Sequence, residues 1–177
     1  FAKTRRVVAM DPRSQGQSSQ TTEGHYPAAR ARDIKAVVDH LKLAPACPGS
    51  SCGVVLVGWS MGVTELAAYV DQFGTETVAG LVLVDGIAGG DIDPAFTRQM
   101  LNWTAGLQKD RRAATEQFVQ QMFKKPQSEE YYQRLTKASL RTPTNSAMAL
   151  FLGAFSTDNR PALARINKPT LIVVAAG

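Results

Sequence analysis

The sequence predicts an α/β protein with a mostly parallel sheet and a helical insertion late in the chain. Three observations predict it. Short apolar runs alternate with segments of three-and-four apolar spacing up to Gly86, as parallel βαβ units do. At one strand-to-helix joint stands Gly58-Trp59-Ser60-Met61-Gly62, a Gly-x-Ser-x-Gly turn. From Ile87 to Asn167 the alternation stops, and four helical stretches follow with no strand between them.

The elements read as follows. Arg6-Val7-Val8-Ala9-Met10 is apolar and β-branched enough for a strand. Asp11 to Ser19 is a polar, glycine-bearing loop. Tyr26 to Leu43 reads as a helix, because Ala31, Ile34, Val37, Val38 and Leu41 recur at helical spacing. Val54 to Val57 suits a buried strand and Val63 to Phe73 a helix packed on the sheet, with Gly74 as its stop. Leu81 to Val84 is a further strand ending at Asp85-Gly86. Asp93-Pro94 opens a helix through Gln108, Asp110 a second through Lys125, and Ser128 a third. Thr142-Pro143 precedes a fourth over Asn145 to Phe155. Thr170 to Ala176, opened by Lys168-Pro169, is the last strand. Met100, Trp103, Phe118, Met122, Phe123, Met148, Phe151 and Phe155 mark the core of the helical insertion. Two or three of these are expected to wall an apolar pocket above Ser60.

Composition narrows the function. The 177 residues are 44% hydrophobic and 20% charged, an ordinary globular balance. No apolar run approaches the ~20 residues that cross a bilayer. The net charge is +5, but Arg5-Arg6, Arg111-Arg112 and Lys124-Lys125 are isolated pairs. A nucleic-acid footprint needs clustering on one face, so no nucleic-acid partner is expected. Cys47 and Cys52 flank a Pro-Gly turn. A small-loop disulfide there would imply export to an oxidising, periplasm-like compartment, whereas two free thiols would suit the cytoplasm. The loop offers too few ligands for a metal, and no cofactor is implied.

The serine turn carries the chemistry. A serine on a sharp strand-to-helix turn presents its hydroxyl above the strand ends. Gly58 and Gly62 are expected because a Cβ would clash where backbone meets backbone. The following helix aims its first N–H groups at the same place, where negative charge develops.

On these residues the chain resembles an α/β-hydrolase. Asp11-Pro12-Arg13-Ser14-Gln15-Gly16-Gln17-Ser18 resembles that family's Asp-x-Arg-Gly-x-Gly-x-Ser loop, with Ser14 where glycine is usual. Gly58 to Gly62 matches its nucleophile elbow, Asp85 ends what looks like the sixth strand, and Lys168 to Val173 resembles the start of the seventh. The Gly-Trp-Ser-Met-Gly form is similar to the branch of small serine esterases and cofactor-free haloperoxidase-like enzymes. The resemblance implies a partial core over residues 1–86 and 167–177, and a helical lid over 87–166.

It also implies the machinery. Ser60 is the nucleophile and Met61 N–H one oxyanion donor. The triad acid and histidine are expected beyond Gly177, and the second oxyanion donor and a central strand before Phe1. The native protein is thus expected to be longer by roughly 50 to 100 residues at each end. Asp85 is an alternative acid, or else a strand-end carboxylate bonded to nearby N–H groups. Asp91 and Asp93 read as turn and cap residues. His25 and His40 both precede the serine and are expected at the surface or a helix edge. The implied activity is hydrolysis of a small-molecule ester through an acyl-enzyme. The alternatives are a perhydrolase or haloperoxidase-like outcome at the same site, or a non-catalytic binding module lacking the base.

Overall fold

The computed structural model describes residues 2–43, 53–87 and 93–175. Cys47, Cys52, Asp91 and Gly177 lie outside the described residues.

Three parallel strands form the sheet among the described residues: β1 (Val54–Trp59), β2 (Val78–Val84) and β3 (Thr170–Val173), in the order β1-β2-β3. Leu56 lies beside Leu81, and Val82 beside Leu171. Helix α1 (Pro27–His40) precedes β1, and α2 (Met61–Phe73) joins β1 to β2. Proline at the first position of α1 suits a helix start, where its missing N–H costs nothing.

The core sits where α2 packs on β1 and α1 packs on α2. Ala31, Val38, Leu56, Val63, Leu66, Tyr69, Val70, Val78, Leu81 and Leu83 form one buried cluster. Burying each large aliphatic side chain there contributes about 1.5–3 kcal/mol. Tyr69 and Phe73 meet edge to face at 5.2 Å. The other face of β1 is open: Val55, Val57 and Trp59 are exposed.

After β2 come α3 (Pro94–Lys109), α4 (Arg111–Gln121), α5 (Glu129–Ser139), α6 (Thr144–Phe155) and the short α7 (Arg160–Leu163). Three of the expected caps form. Asp93 accepts from Ala95 N at 2.9 Å, Asp110 from Ala113 N at 3.0 Å, and Ser128 from Tyr131 N at 3.3 Å. These bonds satisfy donors that a helix start leaves without acceptors.

Several expectations are corrected. Residues 6–10 form no strand. A strand is a pairing rather than a property of its residues, and no ladder reaches this segment, whose Val7 and Val8 are exposed. Helix α6 has Pro143 at its cap position and no side-chain cap, so Thr142 does not serve there. Helix α4 stops at Gln121, short of Lys125. Strand β3 ends at Val173, because its partner β2 ends at Val84; Ala175 N then donates to Asp85 Oδ1 at 3.2 Å.

Candidate active site

Ser60 stands between the last residue of β1 and the first of α2, at φ 53° and ψ −117°. A left-handed φ strains a residue that carries a Cβ, at a cost of about 1–3 kcal/mol. The surroundings hold it there. Ser60 N donates to Val84 O at 2.8 Å, and Ser60 O accepts from Val63 N at 3.0 Å. The turn is also tight. A Cβ on Gly58 would lie 2.6 Å from Gly62 O and 3.0 Å from Leu66 Cδ1. Gly58 is therefore required to be bare. Gly62 is not: among the described residues a Cβ there would meet nothing within 4 Å. The expectation that both glycines avoid a clash holds for Gly58 alone. Gly62 matters as the backbone that Gly58 approaches.

Met61 begins α2, so its N–H lies outside the intrahelical ladder and forms part of the helix's positive end. Thr64 Oγ1 donates to Met61 O at 2.8 Å.

Beside the serine lies a cavity of about 190 Å³, lined by Ser60, Met61, Thr64, Asp85, Gly86, Ile87, Phe96, Ala154 and Phe155. Its walls are mostly apolar. Phe96 of α3 and Phe155 of α6 meet edge to face at 5.3 Å. Phe151 continues the row at 4.6 Å from Phe155, and Trp103 follows at 4.0 Å from Phe151. Of the eight insertion residues, two or three of which were expected here, Phe155 alone reaches this cavity. Phe96 does so without having been singled out, because its place at the first turn of α3 carries no sequence signal. A larger depression of about 600 Å³ lies between α4 and α5, lined by Arg112, Glu116, Glu129 and Lys137 among others. Its mixed charges suit a solvated groove, and none of the serine turn lines it.

Asp85 lines the serine cavity, and its carboxylate accepts from Ala175 N at 3.2 Å. Its own φ is 46°, and its N–H donates to Val173 O at 2.7 Å. It ties the end of β2 to the end of β3, the bonding of a strand-end carboxylate.

Neither histidine lines the cavity. His40 is exposed at the end of α1. His25 is buried, contrary to expectation, at 5% exposure. Its Nε2 lies 2.9 Å from Ser14 Oγ and 3.4 Å from Thr21 Oγ1. Burial holds its imidazole below the ordinary value, and the nearby Arg13 and Arg30 charges push the same way. Ser14 is itself buried at φ 61°, the left-handed conformation that glycine adopts freely. Its hydroxyl accepts from Thr21 N at 2.9 Å.

This loop reaches the elbow helix through buried charge. Arg30 Nη2 lies 2.9 Å from Glu65 Oε1 and donates to Gln15 Oε1 at 2.9 Å. Glu65 is one turn into α2. Burial pushes its carboxyl up, and the Arg30 charge pulls it back. Arg13 grips Asp33 of α1 through two bonds of 2.7 and 2.6 Å.

Among the described residues, no cluster of three or more His, Cys, Asp or Glu side chains could hold a metal ion. No helix there is long and apolar enough to cross a membrane.

A sequence model of the alpha/beta hydrolase family matches residues 1–177. The chain belongs to the α/β-hydrolase family. A bifunctional esterase/perhydrolase of Acinetobacter calcoaceticus is 38% identical over 82 residues, covering 46% of this chain and 27% of the relative. An AB hydrolase superfamily protein of Bacillus subtilis is 28% identical over 180 residues, covering 95% of this chain and 62% of the relative. Among solved structures, a bromoperoxidase from Bacillus anthracis superposes with a TM-score of 0.80 at 24% identity, covering 91% of this chain and 60% of that one. An esterase from Exiguobacterium antarcticum superposes with the same TM-score, 0.80, at 22% identity, covering 91% and 59%. The chain therefore spans at most about three fifths of these relatives' lengths. The shared fold is that of an α/β-hydrolase, with its mostly parallel sheet.

Proposed function

We propose that this hydrolase is a serine esterase acting on a small, uncharged ester. One observation carries the reading: a serine held at φ 53° on a strand-to-helix turn, with its cavity walled by apolar side chains. Ser60 Oγ attacks the ester carbonyl carbon. Its proton passes to a histidine and from there to the departing alcohol as the ester C–O bond breaks. Met61 N–H stabilises the oxyanion. Water then adds to the acyl-enzyme, and the acid leaves. The base is assigned to a histidine outside the 177 residues, since His25 is engaged with Ser14 and His40 is not at the cavity.

Helices α3 to α6 serve as the lid. Phe96 and Phe155, which line the cavity from α3 and α6, support this. The cavity's volume supports a small acyl group, since an apolar cavity of about 150 Å³ holds a benzene.

A second reading changes only the acyl acceptor. With hydrogen peroxide in place of water the acyl-enzyme releases a peracid. The esterase/perhydrolase name of the Acinetobacter relative favours keeping it.

The test is fluorophosphonate labelling of the whole protein with intact-mass analysis. One adduct, absent in Ser60→Ala, is expected, with hydrolysis of p-nitrophenyl acetate falling about 10⁵–10⁶-fold in the variant. Labelling that persists in Ser60→Ala excludes this serine. Peroxide-dependent bromination in acetate buffer, well above the hydrolytic rate, selects the second reading.

A further inference from the structure

The nucleophile's position is set from outside its own turn. Ser60 N is bonded to Val84 O, the last residue of β2. Two residues on, Gly86 presses against the next peptide, the one that carries Ser60 O. A Cβ on Gly86 would lie 2.5 Å from Ser60 O and 2.4 Å from Val63 Cγ2. Neither neighbour yields easily. Ser60 O is backbone and already accepts from Val63 N, while Val63 is β-branched and 1% exposed. The end of β2 is itself anchored, because Asp85 bonds the last residue of β3 through its N–H and Ala175, just beyond β3, through its carboxylate.

We propose that Gly86 is a positioning residue: the bare Cα after β2 is the seat against which the Ser60 peptide rests. The proposal rests on the reading of Ser60 as the nucleophile. Any side chain at position 86 displaces the Ser60 carbonyl, and with it the rigid peptide leading to Met61 N. That one shift moves both the attacking Oγ and the oxyanion donor. Reacting groups displaced by about 1 Å lose on the order of 100-fold in rate.

The experiment compares Gly86→Ala with Gly80→Ala in the full-length protein. Gly80 is the control on the same strand: its Cβ would lie 3.0 Å from Pro169 O, on the strand pair but away from the serine turn. The readouts are the fluorophosphonate labelling rate, kcat and KM for p-nitrophenyl acetate, and the melting temperature. Gly86→Ala is expected to label about 100-fold more slowly and to lose kcat with KM little changed, while still folded. Gly80→Ala is expected to lose stability and keep its labelling rate. If Gly86→Ala fails to fold, Gly86→Ala/Val63→Ala replaces it, with Val63→Ala as its reference. That pair removes the Val63 Cγ2 contact and leaves those with Ser60 O and with the Cβ at position 63, 2.6 Å away, both fixed to the elbow backbone, so slow labelling in the double variant alone supports the seat. A folded Gly86→Ala, or double variant, that labels as fast as its reference overturns the proposal. Wild-type protein that takes no label overturns the Ser60 reading and this one with it.

Discussion

Helices α2 and α3 are of similar length, 13 and 16 residues, and live in opposite environments. In α2 every residue from Val63 to Val70 is buried. It is enclosed by β1, α1, α6 and α7. In α3 only Thr104 and Leu107 are buried, and Leu101 is 54% exposed. A helix enclosed on all sides has no polar face to spend, so a charged residue within it needs a buried partner. Glu65 has Arg30. A helix at the surface needs one contact stripe, and α3 makes its stripe partly from aromatic edges. The difference matters because α2 begins at Ser60, while α3 lends the cavity only Phe96. Burial is thus concentrated in the helix that begins at the proposed nucleophile, while the α3 side of the wall is largely exposed.

The sharpest way to break that comparison is to strand a charge. Glu65→Ala leaves Arg30 buried without its carboxylate and is expected to cost about 3–5 kcal/mol by urea unfolding. Arg30→Met with Glu65→Ala is expected to recover most of it. A cost below about 1 kcal/mol for the single variant would show that α2 is not closed around this pair.

Packing gives the next contrast. Leu66→Ala, at 3% exposure, is expected to lose about 2–5 kcal/mol, whereas Leu101→Ala stays within about 0.5 kcal/mol. Equal losses would erase the distinction between the two helices.

A smaller effect is expected from the cavity wall. Phe155→Ala opens the space beside Ser60 toward Phe151. The kcat/KM ratio for p-nitrophenyl hexanoate over acetate is expected to rise about tenfold. An unchanged chain-length profile would remove Phe155 from the acyl site.

The shallowest effect is that of pH on His25. Its folded value lies below the ordinary 6.5. The unfolded chain therefore binds the proton first, and stability falls as pH drops below about 6.5, until the folded value is reached. The slope is bounded at about 1.4 kcal/mol per pH unit, one proton's worth. His25→Gln is expected to flatten the profile between pH 7 and 5 by thermal melts. An unchanged slope would assign the acid loss to other groups.

Much of this was legible along the chain because it depends on neighbours in sequence. Helical spacing marked α1, apolar runs marked β1 and the last four residues of β2, whose start at Val78 was missed, and Asp93, Asp110 and Ser128 announced their helices by capping chemistry that spans three residues or fewer. The Gly-x-Ser-x-Gly turn was readable for the same reason, since Gly58 meets Gly62 four residues away. Tertiary structure decided what depends on distant partners. Residues 6–10 have strand composition but no ladder, because pairing is supplied by another segment. His25 is buried where Ser14, eleven residues back, bonds its ring and Gly153 of α6 faces its backbone. Phe96 and Phe155, 59 positions apart, meet only because α3 packs on α6. Gly86 looked like the end of a strand, and its contact with Ser60 O arises only when β2 is laid beside β1. Local backbone chemistry wrote the serine turn into the sequence; the sheet register, a long-range pairing, decided what holds it.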